Sequence, residues 1–444
     1  MAEKRKSYAV EAYGCQMNFY DAELIAGILE REGYRPAAEL SKADLMVVNT
    51  CSVRDHAESR ALGRIRELAG LRKQRPGSRL VVCGCMAQRM GAELLDRIPG
   101  IDLVVGTGEY RQLPDLLRRI EKGRAVSTSE TLEMYTDIRP RTASGLSAFV
   151  SVMRGCDNRC SYCIVPQLRG PARSRPLDDI LAEVRTLTGR GFREINFLGQ
   201  NVNAYRDGSH RFADLLRRAD GVDRLWRIRF TTSHPRDMSE AILTTMAESD
   251  SVCEHLHLPL QSGSDRILKA MRRGYTSGKY RALVDRARKL IPGLSITTDL
   301  IVGFPGETDE DFRRTLELLG AVQFDNAFTF GYSPRPGTDA VNFSEQVPEP
   351  VRQERLEKII EYQHAITQRI SRRMAGQTVE VLVEGPSRRN AAELMGRTRT
   401  NKVVVFTGDA GLSGQLASVY VHTVRGVTAR GELAAEPSSK PVLP

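Results

Sequence analysis

The protein has 444 residues, of which 41% are hydrophobic and 27% charged. This length exceeds what one ordinary core accommodates, so we expect roughly two to four domains in a chain of globular composition. Lys and Arg total 65 against 55 Asp and Glu, and the formal charge of +10 favours polyanionic partners, although many other proteins carry a similar excess. No run of about 18 apolar residues occurs, and the start lacks the apolar core of a signal peptide, so we expect a cytoplasmic protein without membrane contact.

The first part of the chain alternates short apolar strands with amphipathic helices. Strands are predicted at 7–13, 44–49, 79–84 and 101–105, with a helix at 21–32 after the first of them. Apolar strands that alternate with helices are typical of a parallel sheet covered on both faces. We therefore predict a Rossmann-like or flavodoxin-like α/β domain at 1–123, followed by an irregular linker at 124–145.

Alternation resumes in the middle of the chain. Six strands are predicted, at 149–153, 194–198, 227–232, 255–260, 295–302 and 327–332, with helices between them. Six βα units predict a TIM-type barrel that stops short of the usual eight, a partial (β/α)6 barrel over 146–374 that ends with a long charged helix. Short strands with many turns then predict a small antiparallel β-barrel at 375–432, and the Pro/Ser/Ala-rich tail at 433–444 is predicted to be disordered.

Three of the eight cysteines lie close together in the central region. Cys156, Cys160 and Cys163 have the spacing C-x3-C-x2-C, directly after a predicted strand. Thiolates at this spacing can hold three irons of a 4Fe-4S cluster and leave the fourth iron open, as catalysis at a metal requires. Structural zinc is the alternative, but it needs a fourth nearby Cys or His, which the following residues do not supply.

A second set of cysteines follows the strands of the N-terminal domain. Cys15, Cys51 and Cys85 each lie just past a predicted strand end. Because the carboxyl ends of parallel strands meet at one edge of a sheet, these thiols should converge and form a second three-cysteine cluster site. The alternative is that all three are buried packing residues. Cys83 lies inside its strand and, with Cys253, is assigned to packing.

The central segment Arg-Gly-Cys-Asp-Asn-Arg-Cys-Ser-Tyr-Cys-Ile-Val-Pro, at 154–166, resembles the methylthiotransferase branch of the radical S-adenosylmethionine (SAM) superfamily. The resemblance extends over about 7–430, and its pattern of three N-terminal ligand cysteines is matched by Cys15, Cys51 and Cys85. It implies two 4Fe-4S clusters. One SAM would be cleaved reductively at catalytic Cys156, Cys160 and Cys163 to give a 5′-deoxyadenosyl radical, and another would donate a methyl group to sulfur at the N-terminal cluster.

Polar segments at the ends of later barrel strands are predicted to contact SAM. Phe-Leu-Gly-Gln-Asn ends one strand and Thr-Thr-Ser-His-Pro follows the next. Loops at this end of a barrel surround its active site. We assign Gln200, Asn201 and Ser233 to cofactor binding; turn formation alone is the alternative for the glycines of these loops.

The C-terminal barrel resembles the TRAM domain, an RNA-binding β-barrel. Its basic residues predicted to contact RNA are Arg388, Arg389, Arg397, Arg399 and Lys402. A local excess of positive charge suits phosphate contact, but a solvated loop would have the same composition.

The branches of the family differ in substrate. The stretches Asn-Thr-Cys-Ser-Val-Arg, Ser-His-Pro-Arg-Asp-Met and Gly-Arg-Thr-Arg-Thr-Asn-Lys are most similar to the branch that acts on tRNA carrying isopentenyladenosine. This implies methylthiolation at C2 of adenosine 37 in the anticodon stem-loop. We also expect an external one-electron reductant and a monomeric enzyme. The alternatives are threonylcarbamoyl-adenosine in tRNA, a ribosomal-protein aspartate, or a non-catalytic RNA-binding protein with structural zinc.

Overall fold

The computed structural model describes residues 6–52, 55–120, 123–142 and 145–434. Nearly all of the tail predicted to be disordered, 435–444, therefore lies outside the described residues. Within the described ranges, no helix combines the length and the apolar character needed to cross a lipid bilayer.

The N-terminal domain is built on one parallel sheet. Its strands are β1 (Ser7–Ala12), β2 (Arg35–Pro36), β3 (Leu45–Thr50), β4 (Arg79–Gly84), β5 (Leu103–Val105) and β6 (Ala125–Ser127). They pair in the order β2-β1-β3-β4-β5-β6. The helices are α1 (Gln16–Arg31), α2 (Asp55–Lys73), α3 (Cys85–Met90), α4 (Ala92–Arg97) and α5 (Leu113–Arg119).

Both faces of this sheet are covered, because successive side chains of each strand point to opposite sides. In β3, Val47 belongs to one apolar core, whereas Met46 and Val48 belong to the other. The predicted parallel α/β domain is confirmed.

Two details differ from the sequence expectation. The segment predicted to be irregular contributes β6, which pairs with β5 at the edge of the sheet. Three half-buried residues are too few to produce a periodic pattern. Helix α1 begins at Gln16 rather than at 21, because Asn18 forms a reciprocal capping interaction with Cys15.

The central domain is a six-stranded part-barrel with two additional two-stranded sheets. The barrel strands are β7 (Ser147–Ser151), β10 (Glu194–Leu198), β13 (Arg227–Phe230), β14 (His255–His257), β15 (Ser295–Val302) and β16 (Asn326–Gly331). The additional sheets pair β8 (Met153–Arg154) with β9 (Arg173–Ser174), and β11 (Arg206–Asp207) with β12 (His210–Arg211). Two parallel sheets, β13-β10-β7 and β14-β15-β16, form its wall. A parallel bridge between Ile228 and Val252 links β13 to the residues before β14.

Helices follow the strands of this wall, as the βα alternation predicts. Those that pack against it are α7 (Leu177–Gly189), α8 (Phe212–Asp220), α9 (Glu240–Glu248), α11 (Ser277–Leu290), α12 (Asp309–Val322) and α13 (Glu349–Arg372). Two short helices lie elsewhere: α6 (Val165–Arg169) packs against the N-terminal domain, and α10 (Asp265–Ala270) packs against the central cysteine loop. The partial (β/α)6 barrel is confirmed, and α13 is the predicted long helix.

The C-terminal domain is a closed five-stranded barrel. Its strands are β17 (Thr378–Pro386), β18 (Leu394–Thr398), β19 (Val403–Thr407), β20 (Leu416–Arg425) and β21 (Thr428–Leu433). They close in the order β17-β18-β19-β21-β20. The small barrel is confirmed, although β19 and β21 pair in parallel rather than antiparallel.

Gly84 determines how the chain passes from β4 into α3. Its φ of 97° and ψ of −159° lie in a region that is essentially restricted to glycine. A Cβ atom there would lie 2.3 Å from Asn49 Oδ1 and 2.5 Å from the Thr50 carbonyl oxygen. Glycine therefore places Cys85, the first residue of α3, at the carboxyl edge of the sheet.

We predict that Gly84→Ala lowers the free energy of unfolding of the N-terminal domain by about 2–4 kcal/mol, from backbone strain and overpacking together. Gly63→Ala, at an exposed helical position with open space around it, is the matched control and should be neutral or stabilising by up to about 1 kcal/mol. Denaturant unfolding of the metal-free protein measures both. Equal stability of the two variants would contradict this role of Gly84.

Candidate active site

One cavity of about 890 Å³ lies where the three domains meet. It is lined by residues of the N-terminal sheet edge, the barrel mouth and the β18–β19 turn of the C-terminal barrel. Six cysteines contribute to its wall: Cys15, Cys51, Cys85, Cys156, Cys160 and Cys163. The two sets of cysteines predicted from the sequence therefore open into the same space.

The central cysteine loop follows β8 and is anchored by hydrogen bonds to neighbouring segments. The Cys156 amide donates to the Gly170 carbonyl at 3.1 Å, and the Ser161 hydroxyl donates to the Ala270 carbonyl at 2.8 Å. Gly155 has a φ of 78°, and a Cβ atom there would lie 1.9 Å from the Pro171 carbonyl oxygen. The loop is thus held in one shape while its three thiols remain partly accessible.

The N-terminal thiols lie at three neighbouring strand ends. Cys15 precedes α1, Cys51 follows β3 and Cys85 begins α3. Asn18 ties two of these loops together, because its Oδ1 lies 3.2 Å from Cys15 Sγ and its Nδ2 donates to the Thr50 carbonyl at 2.9 Å. Parallel strand order brings the three residues to one edge, as expected.

The other two cysteines lie elsewhere. Cys83 is fully buried in the apolar core that also contains Val47, on one face of the N-terminal sheet. Cys253 is 1% exposed. Neither contributes to the wall of the cavity. This placement agrees with their assignment to packing, and the assignment of the remaining six as ligands stays a prediction.

The thiols of the N-terminal set do not share one electrostatic environment, because burial raises the pKa of Cys85. A hydrogen bond with Cys51, helped by the charge of Arg169, lowers the pKa of Cys15 to about 6, although burial opposes the shift. Burial raises the pKa of Cys163 to about 12, and the charge of Cys160 adds to that effect. Arg273 places a positive charge beside one thiol of the central loop, since its Nη1 lies 3.4 Å from Cys160 Sγ.

The donor set fits iron–sulfur clusters by its chemistry. Each trio consists of thiols, the ligands that such clusters take. Among the described residues, no three Cys, His, Asp or Glu side chains are placed to hold a single metal ion. The fit therefore depends on ligand type, spacing and convergence on one cavity.

Two of the three residues assigned to SAM line the cavity. Gln200 Oε1 accepts the Gly155 amide at 2.6 Å, and the buried Ser233 hydroxyl has no hydrogen-bond partner among the described residues. Asn201 lies behind them, where its Nδ2 donates to Asp237 Oδ2 at 2.7 Å. All three stay predictions as cofactor contacts.

His234 is a site residue that sequence reasoning did not select. Its Nδ1 accepts the Arg236 amide at 3.2 Å, which assigns the proton of the neutral ring to Nε2. Burial, with a contribution from Arg273, lowers the pKa of His234 to about 2. Nε2 is therefore a neutral donor, buried in the cavity wall without a partner among the described residues. The one sequence feature that could have indicated a role for His234 was its position next to Ser233, which was assigned to SAM binding.

The basic residues predicted to contact RNA divide into two groups. Arg388 and Arg389 are exposed on the β17–β18 loop. Arg399 forms an ion pair with Glu254 at 2.8 Å, and Lys402 forms one with Asp325 at 2.7 Å. Arg397, Arg399 and Lys402 thus make contacts within the chain, with Arg397 and Lys402 also lining the cavity.

Three known protein families match the chain, one in each of its three structural domains. Residues 7–106 match Uncharacterized protein family UPF0004, residues 150–319 match the Radical SAM superfamily, and residues 372–434 match the TRAM domain. Among solved structures, the radical S-adenosylmethionine methyltransferase TsrM from Kitasatospora setae, with tryptophan and a SAM analogue bound, has a TM-score of 0.60 at 17% identity. The match covers 76% of this chain and 75% of that one.

Two curated relatives are similar over almost the whole chain, and both are named tRNA-2-methylthio-N(6)-dimethylallyladenosine synthase. The protein from Carboxydothermus hydrogenoformans is 47% identical over 95% of this chain and 97% of its own length. That from Moorella thermoacetica is 44% identical over 98% of this chain and 99% of its own length. The superfamily implies SAM and a 4Fe-4S cluster as cofactors. The chain belongs to the tRNA-2-methylthio-N(6)-dimethylallyladenosine synthase family of radical SAM enzymes.

Proposed function

We propose that this enzyme converts N(6)-isopentenyladenosine at position 37 of tRNA to its 2-methylthio derivative, with one SAM as methyl donor and another as radical source. Similarity to the synthases over nearly the full chain supports the proposal. The observation that carries it is that both cysteine trios open into one cavity. Sulfur delivery and hydrogen abstraction have to act on the same carbon, so their sites have to share one space.

Cys156, Cys160 and Cys163 would hold the cluster that binds SAM. When bound, these cofactors supply a 5′-deoxyadenosyl radical through one-electron reduction of the sulfonium. The chain contributes orientation: Gln200 holds Gly155 at the start of the loop, and Arg273 places a positive charge beside Cys160. Because the loop is preorganised, little rearrangement is needed when SAM binds.

Ser233 and His234 offer polar groups to the bound cofactor. Both are buried, line the cavity and have an atom without a hydrogen-bond partner among the described residues. A buried polar group without a partner is costly, so these atoms are suited to bind the ribose or the carboxylate of SAM. His234 would donate as a neutral ring, because its pKa is lowered to about 2.

Cys15, Cys51 and Cys85 would hold the second 4Fe-4S cluster, where sulfur is bound and methylated. The cavity volume of about 890 Å³ is at the upper end of the usual range for small-molecule sites. It would hold parts of the clusters and SAM, next to the place that a base turned out of its stack would take.

The proposed partner is the anticodon stem-loop, whose unpaired nucleotides can be turned out at low cost. Arg388 and Arg389 are exposed and suit phosphate contact, and among the described residues neither forms an ion pair. We further propose that the enzyme is a cytoplasmic monomer that receives electrons from an external donor.

The substrate can be tested with reconstituted protein, SAM and dithionite under anaerobic conditions. We expect 2-methylthio-isopentenyladenosine by mass spectrometry of digested tRNA when the tRNA carries the isopentenyl group, and none when it does not. Cys253→Ala, which alters a buried cysteine outside the cavity, should retain the reaction. Product on threonylcarbamoylated tRNA, or on a ribosomal-protein aspartate, would instead support the corresponding alternative branch.

The two clusters can be counted separately. Wild-type protein should contain about eight irons and eight sulfides per chain, and each Cys-to-Ala triple variant should contain about four. Loss of Cys156, Cys160 and Cys163 should abolish SAM cleavage, whereas Cys83→Ala should keep both clusters. Zinc in place of iron in anaerobically isolated protein would refute the cluster assignment.

The role of the exposed arginines predicts a change in the salt dependence of tRNA binding. Arg388→Ala with Arg389→Ala should weaken binding and reduce the slope of log Kd against log salt, because about two phosphate contacts are lost. The control is the double variant Lys279→Ala with Arg281→Ala, which makes the same charge change at exposed positions of α11. It should alter neither the affinity for tRNA nor the slope of the salt dependence. Identical behaviour of the two variants would argue against this RNA surface.

A further inference from the structure

Arg169 crosses from the barrel domain into the N-terminal cysteine site. It ends α6, the short helix that follows Cys163. Ile164 and Leu168 pack against Cys85, and Thr107 Oγ1 donates to the Leu168 carbonyl at 2.6 Å. This packing fixes the end of α6 against the sheet edge, and Arg169 lines the cavity beside Cys15, Cys51 and Cys85.

Arg169 belongs to a buried group of three charges that does not sum to zero. The Asp21 carboxylate, fully buried in α1, accepts from Arg154 at 2.5 Å and from Arg169 at 2.9 Å. The two arginine side chains are only 4% and 5% exposed. Among the described residues neither arginine has another acidic partner, so one carboxylate faces two guanidinium groups.

A buried excess charge is costly unless an anion balances it. The remaining donor indicates where that anion lies, because Arg169 Nη1 is buried and has no hydrogen-bond partner among the described residues. Arg169 lines the cavity together with Cys15, Cys51 and Cys85, so the uncompensated charge is directed at the N-terminal cysteines.

We infer that Arg169, supplied by the barrel domain, is a positioning residue of the N-terminal cysteine site, where its unpaired Nη1–H holds an anionic group bound by Cys15, Cys51 and Cys85. The inference deepens the proposed function and rests on its second cluster. With three thiolate ligands, the N-terminal site would carry a net negative charge once a cluster is bound. This negative charge would complement the single excess positive charge of the group formed by Asp21, Arg154 and Arg169. The charge of Arg169 stabilises the more negative, reduced form of the bound group and thereby raises its reduction potential.

The test uses the full chain in which Cys156, Cys160 and Cys163 are Ala, so that only the N-terminal site can hold a cluster. Iron content and a redox titration followed by electron paramagnetic resonance are measured for this background, and then with Arg169→Gln or Arg169→Lys. We expect Arg169→Gln to lose iron or to shift the midpoint potential downward. Arg169→Lys should keep the iron and a potential closer to that of the background, because the charge is retained.

A matched control separates this effect from damage to the domain interface. Arg175 is a buried arginine of the same region that forms an ion pair with Glu183 at 2.6 Å and does not line the cavity. Arg175→Gln combined with Glu183→Gln removes a buried pair without leaving a lone charge, and it should leave iron content and potential unchanged. Circular dichroism verifies that each variant is folded.

Asp21→Asn provides a test of the opposite sign. It removes the one negative charge of the group, so the potential should rise above that of the background. Unchanged iron and potential in folded Arg169→Gln, or an unchanged potential in Asp21→Asn, would overturn the inference while leaving the second cluster in place. A background protein without iron would refute the second cluster itself.

Discussion

The arrangement of this enzyme depends on one buried carboxylate that joins two domains. Asp21 lies on α1, just after Cys15, whereas its partners Arg154 and Arg169 flank the central cysteine loop on either side. Removal of one partner from a buried ion pair typically costs about 3–5 kcal/mol, because the other charge is left unpaired. The same contacts that hold the domains together therefore fix the distance and orientation between the two sets of thiols.

Arginine has a similar structural role at the other interface. Arg227 and Arg229 of β13 donate to the carbonyls of Arg397, Thr398 and Arg399 in the C-terminal barrel, at 2.6–2.8 Å. The β18–β19 turn is thereby held against the barrel wall and closes part of the cavity. The positive charge of this turn contributes to domain packing, so composition alone does not distinguish a phosphate contact from an interdomain ion pair.

Local patterns made much of the fold predictable. Strands Glu194–Leu198 and Ser295–Val302 occur at the predicted residues, and the cysteines converge because parallel strands end at one edge. Strand Ala125–Ser127 was missed because it is short and lies at a sheet edge. The pairing of Asp21 with Arg169 was not predictable, because the partners are 148 residues apart and no periodic pattern connects them.

Charge balance couples the assembly of the N-terminal site to the docking of the barrel. An anion held beside Arg169 binds the docked form more tightly than the undocked form, because only docking brings the guanidinium to the cysteines. By thermodynamic linkage, the bound anion stabilises docking by the same free energy. On the proposed cluster assignment, the unbalanced charge of Arg169 therefore makes docking of the two domains and occupation of the cysteine site mutually dependent.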